Sequence, residues 1–294
     1  MIAACVTANR LLIKARHNGE QDDVAKLDTN AAWKEASAIV SANREVLLAL
    51  AGVFFMLPSL ALAVIAGEPE VVPGMKSAQM VAALQEFYAK SWWIVLISAV
   101  LQIVGLLAIL TLMRDRSRPT VGEAIRSALP GALSYLAAQF AVVIGLSLVG
   151  GLLIGLAAVI SPALAVVVVL LFLVALIYTV FRLILVGPVI AVEGVRNPLA
   201  AMFRSWRLTQ GNFWRLFGFI VLIAILFVLV LGIIMAVVGL VLAITTSGEP
   251  QRIIAAVCSS ALGAVGVVYF AGVLAAIHRQ LAGPAAADLS ATFE

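Results

Sequence analysis

The chain has 294 residues, of which 64% are hydrophobic and only 12% charged, and its mean hydropathy is +1.14. Soluble domains carry about a quarter charged residues, so an aqueous fold lacks the polar surface it needs here and lipid must solvate much of the chain. The formal charge of +4 belongs to membrane-flanking loops rather than to a nucleic-acid partner, and the distant Cys5 and Cys258 exclude a disulfide framework or a CxxC site.

Residues 1–29 are charge-balanced and weakly periodic, and read as a disordered tail. A second reading starts the natural chain at Val24 and makes residues 1–23 an extension. There is no basic n-region, and Arg10 and Lys14 interrupt any apolar run, so the start is not a signal peptide. Residues 30–44 are expected to form a surface helix, capped by Thr29 or Asn30, with Trp33, Ala36 and Val40 on one face. The first span covers 46–67 and is expected to break at Pro58. A second surface helix carries Met80, Leu84, Phe87 and Tyr88 in the loop 68–91. Trp92 and Trp93 then open the second span, 92–113, at headgroup level.

Arg114, Arg116, Arg118 and Arg126 follow at once, and Thr120 caps a short helix that Pro130-Gly131 should end. The third span covers 132–160, the fourth 163–182, the fifth 216–244 and the sixth 253–277. Residues 280–294 read as a disordered tail, which leaves 30–279 as one membrane domain. With the N-terminus inside, sixteen Lys and Arg fall on the cytoplasmic side against three (Lys76, Lys90, Arg252) outside. That bias places both termini in the cytoplasm.

Helix-forming segments precede spans one, three and five: TNAAWKEASAIV, TVGEAIRSAL and NPLAAMFRSWRL. The last two share an Arg-Ser pair, Arg126-Ser127 and Arg204-Ser205. The expected fold is therefore all-α: a polytopic bundle of six transmembrane helices, arranged as three hairpins each preceded by an interfacial amphipathic helix. Gly151 and Gly155 form a GxxxG, with Gly145 and Gly150 nearby, and Ser259, Gly263 and Gly266 mark the sixth span. These are expected to let helices approach closely.

No HExxH, nucleophile elbow or P-loop occurs, and no cluster of His, Cys and carboxylates has metal-ligand spacing. His17 and His278 read as isolated, and no cofactor is implied. The segment 182–215, between apolar helices, holds five of the 19 Lys and Arg. Arg182 is followed by ten apolar or small residues, too few to span a bilayer, and Pro188 breaks any helix there. Either Arg182 ends the fourth span and 183–192 lies at the interface, or Arg182 is buried and paired with Glu193 or a lipid phosphate. Asn197-Pro198 starts a basic amphipathic helix with Leu199, Met202, Phe203 and Trp206 as its apolar stripe and Arg204 and Arg207 on its flank. Gly211 stops it, Asn212 caps the next helix, and Trp214 anchors the fifth span.

RLILVGPVIAVEG and RSWRLTQGNFWRL resemble the membrane domain attached to some bacterial glycerophosphodiester phosphodiesterases. They are also similar to a wider set of bacterial six-span proteins of the YciC-like kind, whose first surface helix and span the stretch NAAWKEASAIVSANREVLLALAGVFFMLP fits. The resemblance covers about residues 25–280 and implies a bacterial inner-membrane protein. The phosphodiesterase chemistry does not carry over, because nothing in this chain matches the metal-binding carboxylates and paired histidines of the soluble barrel. The expected function is a non-enzymatic, multi-pass inner-membrane protein that binds anionic inner-leaflet lipids or other membrane proteins, with a role in the cell envelope. The alternative is a small transporter or lipid-translocating protein.

Overall fold

In lipid a backbone must satisfy its own hydrogen bonds, and every regular element among the described residues is a helix. The computed structural model describes residues 26–67, 74–114 and 120–283; the expectations for 1–25 and 284–294, including the start at Val24, fall outside these. In chain order the helices are α1 (Thr29–Ala42), α2 (Arg44–Ala66), α3 (Ser77–Leu112) and α4 (Val121–Ile160). Then follow α5 (Pro162–Arg182), α6 (Val186–Val192), α7 (Pro198–Leu208), α8 (Phe213–Thr245) and α9 (Glu249–Ala282). Among the described residues six runs are long and apolar enough to cross a membrane: α2, α3, α4, α5 with α6, α8 and α9. The protein is a multi-pass membrane protein. One end, here the basic end, gathers α1, the α3–α4 connection, residues 183–212 and the close of α9. The other is the far end.

Several breaks expected from the sequence do not occur. α2 passes through Pro58, with π-helical turns at Gly52–Met56 and Leu62–Ala66 on either side taking up the lost hydrogen bond. α3 is one helix of 36 residues, about 54 Å long; Trp92 therefore lies inside it, about 30 Å before Leu112, which is one hydrocarbon thickness. α4 starts at the expected Thr120–Glu123 capping box but runs on through Pro130-Gly131. A Pro-Gly pair that would stop a helix in water is tolerated where neighbours cover the backbone; Ile190 covers Gly131, and the Ser134 hydroxyl one turn on donates to the Arg196 carbonyl at 2.5 Å. The segment expected as a surface helix before span three is thus the opening of α4, while α1 and α7 are separate helices.

The break after α5 falls at 183–185 and not at Pro188. Proline disrupts the bond to the residue four before it, which is Ile184, so the interruption sits one turn upstream and Pro188 occupies the first turn of α6. Residues 185–190 are buried in the protein and not spread on the lipid interface.

Burial is uneven. At the basic end Ala271 to His278 of α9 are all buried, as are Leu107 to Leu110 of α3. Toward the far end, α5 buries nothing before Arg182, and past Ile220 α8 buries only Leu242. Of the glycines expected to mediate packing, Gly151, Gly155 and Gly263 have open space where a Cβ would stand. Gly150 and Gly266, also among those expected, do allow close approach, to the Phe172 and Phe227 rings, and an unexpected one is at Gly105, where a Cβ would lie 2.4 Å from Phe54 Cβ. A GxxxG spacing marks a small face, and in α4 that face looks outward.

Candidate functional site

The basic end is built from one device used three times. Asp28, Thr120 and Asn197 cap α1, α4 and α7, each accepting backbone N–H groups of the first turn. Asp28, not Thr29 or Asn30, caps α1, receiving the Asn30 and Ala31 N–H groups at 2.9 and 3.0 Å. Four, eight and twelve residues after each cap stand Ala32, Ala36 and Val40; Ala124, Ala128 and Ala132; Ala201, Ser205 and Thr209. All nine are buried. The Arg-Ser pairs are one position out of this register, so the repeat is carried by the small buried residues. Trp33, Phe203 and Trp206, expected on the apolar stripes of surface helices, are exposed on the protein.

Each of these helices rests on the end of the preceding even-numbered span, and α1 closes the ring on the last one. The three ends match: Thr111-Leu-Met-Arg114, Thr179-Val-Phe-Arg182 and Ala276-Ile-His-Arg279. Both threonine hydroxyls bond the carbonyl one turn earlier at 2.8 Å. α1 meets α9 where Gly272 lets Val40 and the Ala36 carbonyl approach a Cβ position to 3.0 and 3.4 Å. There Arg279 donates to Glu35 Oε1 at 3.1 Å and to the Met113 carbonyl.

At the second junction Ser205 and Thr209 of α7 donate to the Arg182 carbonyl at 2.9 and 3.3 Å. Arg182 is 8% exposed. Its Nε and Nη2 donate to the Tyr178 hydroxyl at 2.9 and 2.6 Å, and Nη1 to the Trp206 carbonyl at 3.4 Å. The guanidinium carbon stands 5.0 Å from the Tyr178 ring centroid and 5.3 Å from that of Trp206, a cation–π arrangement on both. Phe213 backs Tyr178 at 4.8 Å and Phe181 stacks edge-on against Phe217. The Arg182–Glu193 pair, one of the alternatives, does not form; Glu193 is engaged by Arg204 and His278. Among the described residues no carboxylate pairs with Arg182.

Glu193 instead ties α7 to α9. Arg204 Nε reaches its two carboxylate oxygens at 3.2 and 3.0 Å, and His278 Nε2 stands 3.0 Å from Oε1. Burial pushes the Glu193 carboxyl up; the hydrogen bonds from His278 and Arg204 and the Arg204 charge outweigh it and leave it below the usual carboxylate range. His278 is therefore not isolated. Asn212 does not cap α8 with its side chain: Oδ1 accepts the Leu27 N–H at 3.0 Å. Trp214, 78% exposed, and Arg207 face outward.

The first junction holds a cavity of about 360 Å³ between α3, α4 and the end of α6. Leu107, Ala128, Gly131, Ile190 and Ala191 make its apolar wall; Arg114, Arg196, Glu123, Ser127 and Thr111 make its polar one. Sequence reasoning missed Arg114, Arg196 and Tyr178 as site residues. The T-x-x-R repeat was the available signal for the first, and nothing local marks the other two.

Residues 157–282 match the family model of the membrane domain of glycerophosphoryl diester phosphodiesterase. The match includes RLILVGPVIAVEG and RSWRLTQGNFWRL and runs from the end of α4 through α9. No curated protein and no solved structure matches the chain.

Proposed function

We propose that the chain is a non-enzymatic lipid-binding protein of the bacterial inner membrane, with its basic end on the cytoplasmic side and a role in the cell envelope. The observation that carries this reading is Arg182, a buried guanidinium held by neutral partners only, among the described residues. A buried cation without a counter-charge is unfavourable, and a lipid phosphate at the adjacent interface supplies one. α7 supports this by presenting Leu199, Phe203 and Trp206 outward beside Arg207, the composition of a helix lying in an anionic leaflet. The matched model describes a membrane domain, which supports the membrane location of the reading. The exposed apolar α5 and α8 leave room for other membrane proteins as partners.

Native mass spectrometry after mild detergent extraction tests the reading. Anionic phospholipid should stay bound to the wild-type protein and be reduced by Arg182→Gln; a wild type that retains none overturns it. A transport reading calls for a hydrated cavity lined by Gln102, Gln139 or Arg182; the 360 Å³ cavity is lined by none of them, and Gln139 lines a second one of only about 20 Å³. Gln139 donates to the Tyr135 hydroxyl of its own helix at 3.1 Å.

A further inference from the structure

The three junctions are equivalent in construction and differ in how the arginine at the end of the even span is satisfied. At the third, Arg279 meets Glu35, seven residues after the Asp28 cap. At the second, Arg182 is enclosed by Tyr178 and Trp206. At the first, the position seven residues after the Thr120 cap is Ser127, whose hydroxyl is turned back to the Ala124 carbonyl at 2.9 Å. Ser127 and Arg114 both line the cavity, so the place taken by a carboxylate at the third junction is open space at the first.

Arg196 enters the same cavity from the loop before α7. Among the described residues no hydrogen-bond or ion-pair partner is found for either guanidinium. Glu123, the one carboxylate in the wall, is engaged with the Thr120 N–H at 2.9 Å and closes the cap of its own helix. The pocket thus has two exposed arginines, Arg114 and Arg196, in one wall and Leu107 and Ile190 in the other, at the basic end of the bundle. Two guanidiniums are the arrangement that suits a tetrahedral oxyanion, and a volume of this size is within the range of small-ligand sites.

We infer that this cavity is a binding site for a phosphate-bearing group, held by Arg114 and Arg196 in the place that Glu35 occupies at the third junction. A phospholipid headgroup and a free glycerol phosphate share this chemistry. The inference deepens the lipid-binding reading and rests on it, at a site separate from Arg182.

The test uses the full chain in mild detergent, with phosphatidylglycerol, diacylglycerol and sn-glycerol 3-phosphate as probes and native mass spectrometry as the readout. Wild type should retain phosphatidylglycerol over diacylglycerol. In an Arg182→Gln background, where the other lipid site is weakened, Arg114→Gln and Arg196→Gln should each lower the remaining retention about tenfold, the worth of one charge-assisted hydrogen bond. Ser127→Glu in that background should abolish it with the melting temperature unchanged or raised, because it places a carboxylate beside Arg114 as Glu35 stands beside Arg279. Ser127→Ala should leave retention as it was. Competition by glycerol 3-phosphate identifies a soluble ligand; no competition identifies the lipid. A folded Ser127→Glu protein in that background that retains phosphatidylglycerol as Arg182→Gln alone does overturns the assignment of this cavity while leaving lipid binding in place. Retention of neither probe by wild type overturns both.

Discussion

The two ends of the same helices are held by different means. At the basic end α1, α7 and the start of α4 sit on the closing turns of α9, α5 and α3. Small side chains there bring backbones together, and Arg182, Glu193 and Arg279 find partners on neighbouring elements, Arg182 through Trp206. At the far end long apolar helices run beside each other with few buried side chains, and α5 contributes none before Arg182. Lipid is as apolar as leucine and drives no association between apolar helices. Specificity must therefore come from close backbone approach and from polar links. The polar links are concentrated at the basic end, while the middle and far half are joined by single close approaches such as Gly266 on Phe227 and Gly150 on Phe172.

Substitutions that separate the two ends are the sharpest check. Gly105→Leu should have the largest effect, a loss of roughly 3 kcal/mol from overpacking, because its Cβ would meet Phe54 Cβ next to the α2 backbone. Thermal melting of the purified protein in detergent reads this. Arg182→Ala should lower stability by roughly 2–3 kcal/mol, through loss of the cation–π contacts and the Tyr178 hydrogen bonds. Arg182→Lys should recover only part, since an ammonium lacks the planar fork.

Glu193→Gln should be weaker, roughly 1–2 kcal/mol at neutral pH, and its signature is a pH dependence. The folded carboxyl titrates below its unfolded value, about 4.3. Its stabilisation is therefore complete above that value and is lost as pH falls through the lower folded one. The melting-temperature gap between wild type and Glu193→Gln should close as pH is taken down through that window; a gap that persists there argues against the Arg204–Glu193–His278 link. The smallest effect is expected at the far end. Gly151→Ala and Gly155→Ala have open space around them and should stay within about 0.5 kcal/mol of wild type. A loss at Gly151 as large as at Gly105 would erase the distinction between the two ends.

Hydropathy alone made the six spans legible, because 20-residue apolar runs have no other use in a chain this poor in charge. What it could not show was where helices stop. Pro130 and Pro188 carry the same local signal, yet Pro130 is passed over inside α4 while Pro188 displaces a break to 183–185. Neighbouring elements decide between these outcomes, and local sequence does not encode them. The site divides in the same way. Arg182 and Glu193 could be singled out from their isolation among apolar residues, but their partners, Tyr178 in the preceding turn and His278 at 85 residues' distance, are set by the turn between α5 and α6. The threefold design was readable once the cap is placed at Asp28, since the small residues then recur every four positions after all three caps.

The closure of the ring between α1 and α9 has a consequence in time. Glu35 waits for Arg279, 244 residues further along the chain, and Leu27 and Asp28 wait for Asn212 and Gln280. At 5–20 residues per second of synthesis that interval is roughly 10–50 s. Through that interval α1 has no α9 to cover Ala32, Ala36 and Val40, and the membrane surface is its only apolar neighbour besides the spans already inserted. The last helix is therefore the clasp of the assembly. A nascent chain arrested before Ala271 should leave α1 open to protease at Lys34, and one extended past Ala282 should protect it.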